Sequence, residues 1–232
     1  MLTENTASYI KPQAVLTADG SMTLSVPNSD EHYHSTHGAL QESKHVYIQN
    51  GLLQIQKSAV RILEIGLGTG LNCLLTYDTF LKSEHIHLIE YTAVEAFPIE
   101  PNIITELDYH NLLKSNDSEK FLKQLHTSPA NTTFEAATNF YCLLHHRKIE
   151  EITLPKNEYD LVYFDAFGPR TQPEMWSEEI LQKMFDSIDS GGMLLTYCAK
   201  GSVKRSLKSI GFVVESLPGP PGKREITRAL KS

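Results

Sequence analysis

The sequence predicts an α/β fold, in which buried strands alternate with helices and carry ligand-binding residues at their carboxyl ends. Three stretches of the 232-residue chain predict it. Residues 60–65 are apolar and rich in β-branched side chains, so they read as a buried strand. They run into Gly66-Leu67-Gly68-Thr69-Gly70 and then into a helical pattern over 71–80. Residues 86–94 read as a second strand that ends at Glu95, and 161–164 as another that ends at Asp165. In open α/β sheets, ligands bind outside those carboxyl ends.

The glycine turn comes first, because a strand, a Gly-rich turn and a helix N-terminus together make a nucleotide-cofactor site. Glycine lets the backbone turn sharply and approach a ligand. A plain strand-to-helix turn would not need glycine at 66, 68 and 70. A dinucleotide fingerprint wants G-x-G-x-x-G, with helix amides facing a pyrophosphate. Here the pattern is G-x-G-x-G, with Glu64 two residues before it. A carboxylate there would repel a pyrophosphate but suits an ammonium group, which points to S-adenosylmethionine. Glu95 stands where a ribose presents its two hydroxyls, with Glu90 as an alternative inside the strand. Asp165 is expected near the reacting end of the cofactor. Phe167-Gly168-Pro169 reads as a rigid loop on which a planar base can stack.

The remaining elements follow in order. Residues 1–13 are polar and expected to be loosely held. Residues 14–26 read as a hairpin about Asp19-Gly20, and 38–53 as a helix. Between them, Asp30 to Ser35 reads as a polar loop. His32, His34 and His37 are not assigned a metal, since no cysteine or carboxylate spacing completes a site. Residues 98–127 are mostly helical, with Phe121, Leu122 and Leu125 on one face. A strand centres on 140–144, and no chemistry is assigned to the run 145–148 after it. A helix over 173–188 follows, then a turn at Gly191-Gly192 and a strand over 193–197. A basic helix over 201–210 precedes two last strands, 212–217 and 226–230, joined by a loop rich in Pro and Gly. The expected division is an appendage over 1–57 and a main domain over 58–232.

Bulk properties narrow the function. No apolar run approaches the ~20 residues of a membrane helix, and no leader pattern opens the chain, so the expectation is a cytoplasmic protein. Cys73, Cys142 and Cys198 are far apart and are expected to be reduced thiols. The net charge of -7 hides an asymmetry, because residues 191–232 carry eight basic side chains against two acids. Such a segment suits either a polyanion or an ordinary solvated face.

The order of elements, with its closing hairpin, resembles the class I S-adenosylmethionine-dependent methyltransferase fold, Rossmann-like with a seven-stranded sheet. The resemblance narrows through motifs that span residues 19–229. They are Asp19-Gly20-Ser21, Glu31 to Ser35, Gly38-Ala39 with Glu42-Ser43, and Glu64 to Asn72. Further on come Val94 to Pro98, Phe164 to Phe167, Pro173 to Trp176 and Gly219 to Glu225. Together these resemble the MnmD family, the stand-alone form of the N-terminal domain of MnmC. The resemblance implies S-adenosylmethionine-dependent N-methylation of 5-aminomethyl-(2-thio)uridine at the tRNA wobble position. It implies cofactor contacts from Tyr33, Glu64, Gly66, Gly68, Gly70, Asn72 and Glu95, and a catalytic role for Asp165. Phe167 is expected against the base, with Lys200, Lys204, Lys223 and Arg224 toward tRNA. It also implies no flavin-dependent oxidase domain. Where many relatives have a Gly-Asp pair near the adenine, this chain has Lys148-Ile149-Glu150-Glu151, so the adenine contact stays unassigned. The oligomeric state stays open, a monomer being compatible. The competing readings are an aminopropyltransferase, a small-molecule methyltransferase and a catalytically silent RNA-binding module.

Overall fold

A computed structural model of the chain describes residues 11–26, 31–109, 113 and 116–232. Residues 1–10 of the expected loose N-terminus, Asp30 of the polar loop, and 110–112 with 114–115 of the 98–127 stretch lie outside the described residues.

Strands β1 (Gln13–Leu16) and β2 (Met22–Ser25) pair antiparallel, as the turn at Asp19-Gly20 predicts. Helix α1 (Ala39–Ser43) continues through a π-helical turn, Lys44–Gln49, and a 3-10 turn, Leu52–Gln54. Then come β3 (Ala59–Ile65), α2 (Leu71–Lys82), β4 (Leu88–Val94), α3 (Pro101–Thr105) and α4 (Asn116–Thr127). Strands β5 (Thr133–Ala137), β6 (Phe140–His145) and β7 (Tyr159–Phe164) follow. The chain closes with α5 (Glu178–Ser187), β8 (Ile188–Thr196), α6 (Gly201–Ile210), β9 (Val213–Pro218) and β10 (Glu225–Leu230).

The main sheet has eight strands in the order β5-β6-β4-β3-β7-β8-β10-β9, not the expected seven. Strands β6, β4, β3, β7 and β8 are parallel neighbours, and β9 and β10 form the antiparallel hairpin that closes the sheet. The additional strand is β5, antiparallel on the edge against β6. It is half-exposed and bulged between Glu135 and Ala137, so it lacks the apolar run that marks a central strand. Two further expectations need correction. Gly191-Gly192 do not turn into a strand but lie inside β8, where the register against β7 shifts. The helix expected over 173–188 is two pieces, a 3-10 turn Pro173–Trp176 and then α5. They separate at Ser177, which is extended and accepts a bond from the Ile180 amide.

Alternation along each strand divides the core between the two sheet faces. On β3, Ile62 faces a cluster with Tyr47, Leu52, Leu74 and Leu125, while Leu63 and Ile65 face one with Trp176, Leu181, Met184 and Leu207. Truncating one such leucine to alanine would cost about 2–5 kcal/mol. The N-terminal section shares the first cluster through Leu24, Ala39, Val46 and Tyr47, so it packs directly on the sheet beside the strand ends.

Candidate active site

Three backbone bonds stitch the carboxyl ends of the central strands together. Asp165 donates to Ile65, Gly66 to Val94 and Glu95 to His145, each N–H···O at 2.9 Å. They bring the ends of β7, β3 and β4 to one edge. The cavity there is lined by Tyr33, Gly66, Gly68, Glu95, Asp165 and Phe167, six of the residues singled out from sequence.

Gly66 needs to be glycine on two counts. Its φ is +87°, and a Cβ would stand 2.8 Å from the Asp165 carbonyl oxygen. At Gly68, with φ +52°, a Cβ would sit 3.1 Å from the ring of Tyr33, so that ring lies against a bare turn. Glu95 is held by the same backbone. Its Oε2 accepts from the Gly68 amide at 2.9 Å and its Oε1 from the Phe97 amide at 2.8 Å. Each oxygen keeps a lone pair for a diol. Val94, Ala96, Ile149 and Met175 add apolar wall, and the run Arg147-Lys148-Ile149-Glu150, given no chemistry from sequence, also lines the cavity.

Glu64, Gly70 and Asn72 are not among the lining residues. Gly70, at φ +78°, precedes α2, and a side chain there would meet Leu125 of α4 at 2.8 Å. Glu64 is fully buried and accepts from Asn72 Nδ2 at 2.9 Å and from the Tyr91 hydroxyl at 2.8 Å. Burial pushes its carboxyl well above the ordinary range, against the pull of those two bonds. Glu64 stands behind the cavity wall, bonded to Asn72 and within electrostatic reach of Asp165 and Glu95.

Asn72 Nδ2 also donates to Asp165 Oδ2 at 2.8 Å, and the Tyr47 hydroxyl donates to Asp165 Oδ1 at 2.7 Å. Asp165 keeps some surface toward the cavity but is otherwise packed round by protein. That burial raises its carboxyl to about 7; the two hydrogen bonds and Lys223 pull it down, and the charge of Glu42 pushes it up. A carboxyl that titrates near neutrality can hold or release a proton at little cost.

Phe167 packs edge-on to Tyr33, with ring centroids 5.2 Å apart. Trp176 Nε1 pins the loop by donating to the Phe167 carbonyl at 2.8 Å. Glu31 Oε1 accepts from Thr171 Oγ1 at 2.8 Å and ties the N-terminal section to the same loop. His34 lines the cavity as well, and burial lowers its imidazole to about 4, so it is neutral. Among the described residues no group of three His, Cys, Asp or Glu is placed to hold a metal ion, and no helix is long and apolar enough to cross a membrane.

The four basic candidates separate into two pairs. Lys204 Nζ donates to Glu225 and Ser216, at 2.8 and 2.7 Å. Lys223 Nζ donates to Glu42 Oε1 at 2.8 Å and lies 4.0 Å from the Tyr197 ring centroid. Lys200 and Arg224 are exposed and make no ion pair among the described residues. Sequence reasoning missed the site roles of Tyr47, Glu42 and Tyr197. A signal existed for Tyr47, because a tyrosine on the buried face of a helix needs a partner for its hydroxyl.

The donors and acceptors fit S-adenosylmethionine: a bare turn for close approach, a fixed carboxylate for the ribose diol, an apolar wall, and an acid for the positively charged end. Comparison with known proteins points the same way. Residues 114–232 match the S-adenosyl-L-methionine-dependent methyltransferase family. The chain is 30% identical to the tRNA 5-methylaminomethyl-2-thiouridine biosynthesis bifunctional protein MnmC of Pseudoalteromonas atlantica, over 90% of this chain and 32% of that protein. It is 29% identical to the protein of the same name in Marinomonas sp., over 85% of this chain and 31% of that one. The chain thus spans about a third of the length of these curated relatives. It superposes on the crystal structure of MNMC2 from Aquifex aeolicus with a TM-score of 0.75 at 25% identity, covering 97% of this chain and 72% of that one. Spermidine synthase from Thermotoga maritima shares the fold, at TM-score 0.50 and 15% identity over 95% of this chain and 72% of that one. With the match covering just over half its length, the chain belongs to the S-adenosyl-L-methionine-dependent methyltransferase family.

Proposed function

We propose that the protein methylates the amino nitrogen of 5-aminomethyl-(2-thio)uridine at the wobble position of tRNA, giving the 5-methylaminomethyl nucleoside. The observation that carries this reading is Asp165, a carboxyl poised near neutrality where the glycine turn meets Tyr47 and Asn72. The MnmC relatives are named for the biosynthesis of 5-methylaminomethyl-2-thiouridine in tRNA, which supports it.

In this reading Gly66 and Gly68 admit the cofactor, Glu95 accepts from its ribose, and Tyr33 covers the turn. S-adenosylmethionine, when bound, supplies an electrophilic methyl on a positively charged sulfur. Asp165 takes one proton from the substrate ammonium and so frees the nitrogen lone pair. Tyr47 and Asn72 fix the two carboxylate oxygens, which keeps the acceptor aimed at the amine. Held there, the cofactor would supply the methyl group to the freed nitrogen, and Asp165 would keep the proton the ammonium gave up. Phe167 offers a ring edge to the base. Lys200 and Arg224, exposed near the carboxyl edge of the sheet, meet tRNA phosphates, with Arg205 and Lys208 further along α6. In the same reading residues 58–232 are the methyltransferase domain, residues 1–57 are an appendage to it, and the reaction takes place in the cytoplasm.

The test incubates the protein with labelled S-adenosylmethionine and bulk tRNA from cells lacking this activity, followed by nucleoside analysis. Label in 5-methylaminomethyl-(2-thio)uridine is expected. No label in tRNA, with cofactor binding intact, refutes the reading and moves the substrate to a small amine, as in an aminopropyltransferase.

A further inference from the structure

Two buried side-chain oxygens among the described residues have no hydrogen-bond partner, Glu42 Oε2 and Asn72 Oδ1. Both are acceptors. Asn72 touches Asp165 directly, through the 2.8 Å bond from Nδ2. Glu42, 7% exposed on α1, is close enough for its charge to act on Asp165, Tyr47 and Tyr197 alike. Folding leaves such acceptors unpaired at a cost, unless a ligand with donors arrives.

The chemistry of the missing donor can be read from its surroundings. Nothing around Asp165 lacks an acceptor, so the ligand group is donor-rich. A hydroxyl brings a single O–H, whereas a primary ammonium brings three N–H groups, enough for Glu42, Asn72 and Asp165 together. Charge agrees. Lys223 is bonded to Glu42 Oε1 at 2.8 Å, and among the described residues Asp165 has no ion pair of its own, so one more cation suits the pair of carboxyl groups. Tyr197 already takes Lys223 on its ring face at 4.0 Å, so an aromatic ring beside these groups holds an ammonium.

We infer that Glu42 is the second carboxylate of an amine cage, its free oxygen taking one N–H of the substrate's primary ammonium beside Asp165. This rests on the methyltransferase reading above and adds a residue that selects amine over hydroxyl at the same carbon. Lys223 is then a resident cation on the other oxygen of Glu42, competing with the substrate ammonium for its charge.

The test titrates the full chain, loaded with S-adenosylhomocysteine, with free 5-aminomethyluridine and with 5-hydroxymethyluridine. The wild type is expected to prefer the amine at least tenfold. Glu42→Gln keeps the shape and an acceptor for Lys223 but presents a donor to the amine. It is expected to erase that preference while S-adenosylhomocysteine binds as before, which also reports that the fold is intact. Lys223→Met, which removes a competing cation, is expected to keep or increase the preference. The assignment is overturned if the wild type shows no preference, if Glu42→Gln retains it, or if Lys223→Met loses as much as Glu42→Gln. An amine preference that depends on Glu42 without label reaching tRNA leaves the cage standing and refutes the tRNA reading. Label in tRNA with a preference indifferent to Glu42 does the reverse.

Discussion

The two sides of the cavity are made of different material. The cofactor side is backbone: a turn through Gly66 and Gly68, with amides that hold the single acid Glu95 in place. The other side, where the proposed function puts the substrate amine, is side chain: Asp165 between Tyr47 and Asn72, with Glu42 and Lys223 behind. The first side is compact in sequence and rigid. The second gathers residues from 42 to 223, and its electrostatics depend on every one of them. Binding of the cofactor and activation of the amine should therefore fail separately, and substitutions on each side should show it.

The largest effect is expected on the backbone side. Gly66→Ala forces an L-residue into φ +87° with its Cβ against the Asp165 carbonyl. It should destabilise the fold by about 2 kcal/mol or more and remove cofactor binding, measured by thermal unfolding and by titration with S-adenosylhomocysteine. Tyr47→Phe comes next and acts on the other side alone. Its hydroxyl stabilises the ionised form of Asp165, so its loss raises that carboxyl further above about 7. Less of the base is then ionised at neutral pH. The acid limb of the kcat–pH profile should move up by about one unit, with roughly fivefold lower turnover at pH 7 and unchanged cofactor affinity. The smallest effect belongs to the exposed cations. Lys200→Ala and Arg224→Ala should each weaken tRNA binding several-fold and flatten its salt dependence by about one unit of slope, while free nucleoside binds as before. Equal loss of nucleoside binding would place those residues inside the cavity instead.

The same contrast explains what could be read before the structure. Glycine spacing, strand ends and the positions of Glu95 and Asp165 are local patterns, and they located the turn, the strands that end beside it and the cavity. Strand β5 was not legible because an edge strand with one half-buried face carries little apolar signal. The bonds of Glu64 to Asn72 and Tyr91 were not legible, since nothing local announces which side chains occupy its oxygens. Lys204 and Lys223 looked like free cations because their partners, Glu225 and Glu42, are brought to them by the folded chain. The amine side was legible only at Asp165, because Tyr47, Glu42 and Tyr197 acquire meaning through contacts between distant segments.

The most direct test of the division is Asp165→Asn, followed by two numbers on one preparation: affinity for S-adenosylhomocysteine, and the single-turnover rate of methyl transfer to tRNA carrying the aminomethyl nucleoside. Affinity within about threefold of wild type with a rate at least ~100-fold lower is the predicted result. Parallel loss of both, or a rate that survives, would contradict the account and remove Asp165 from the chemistry.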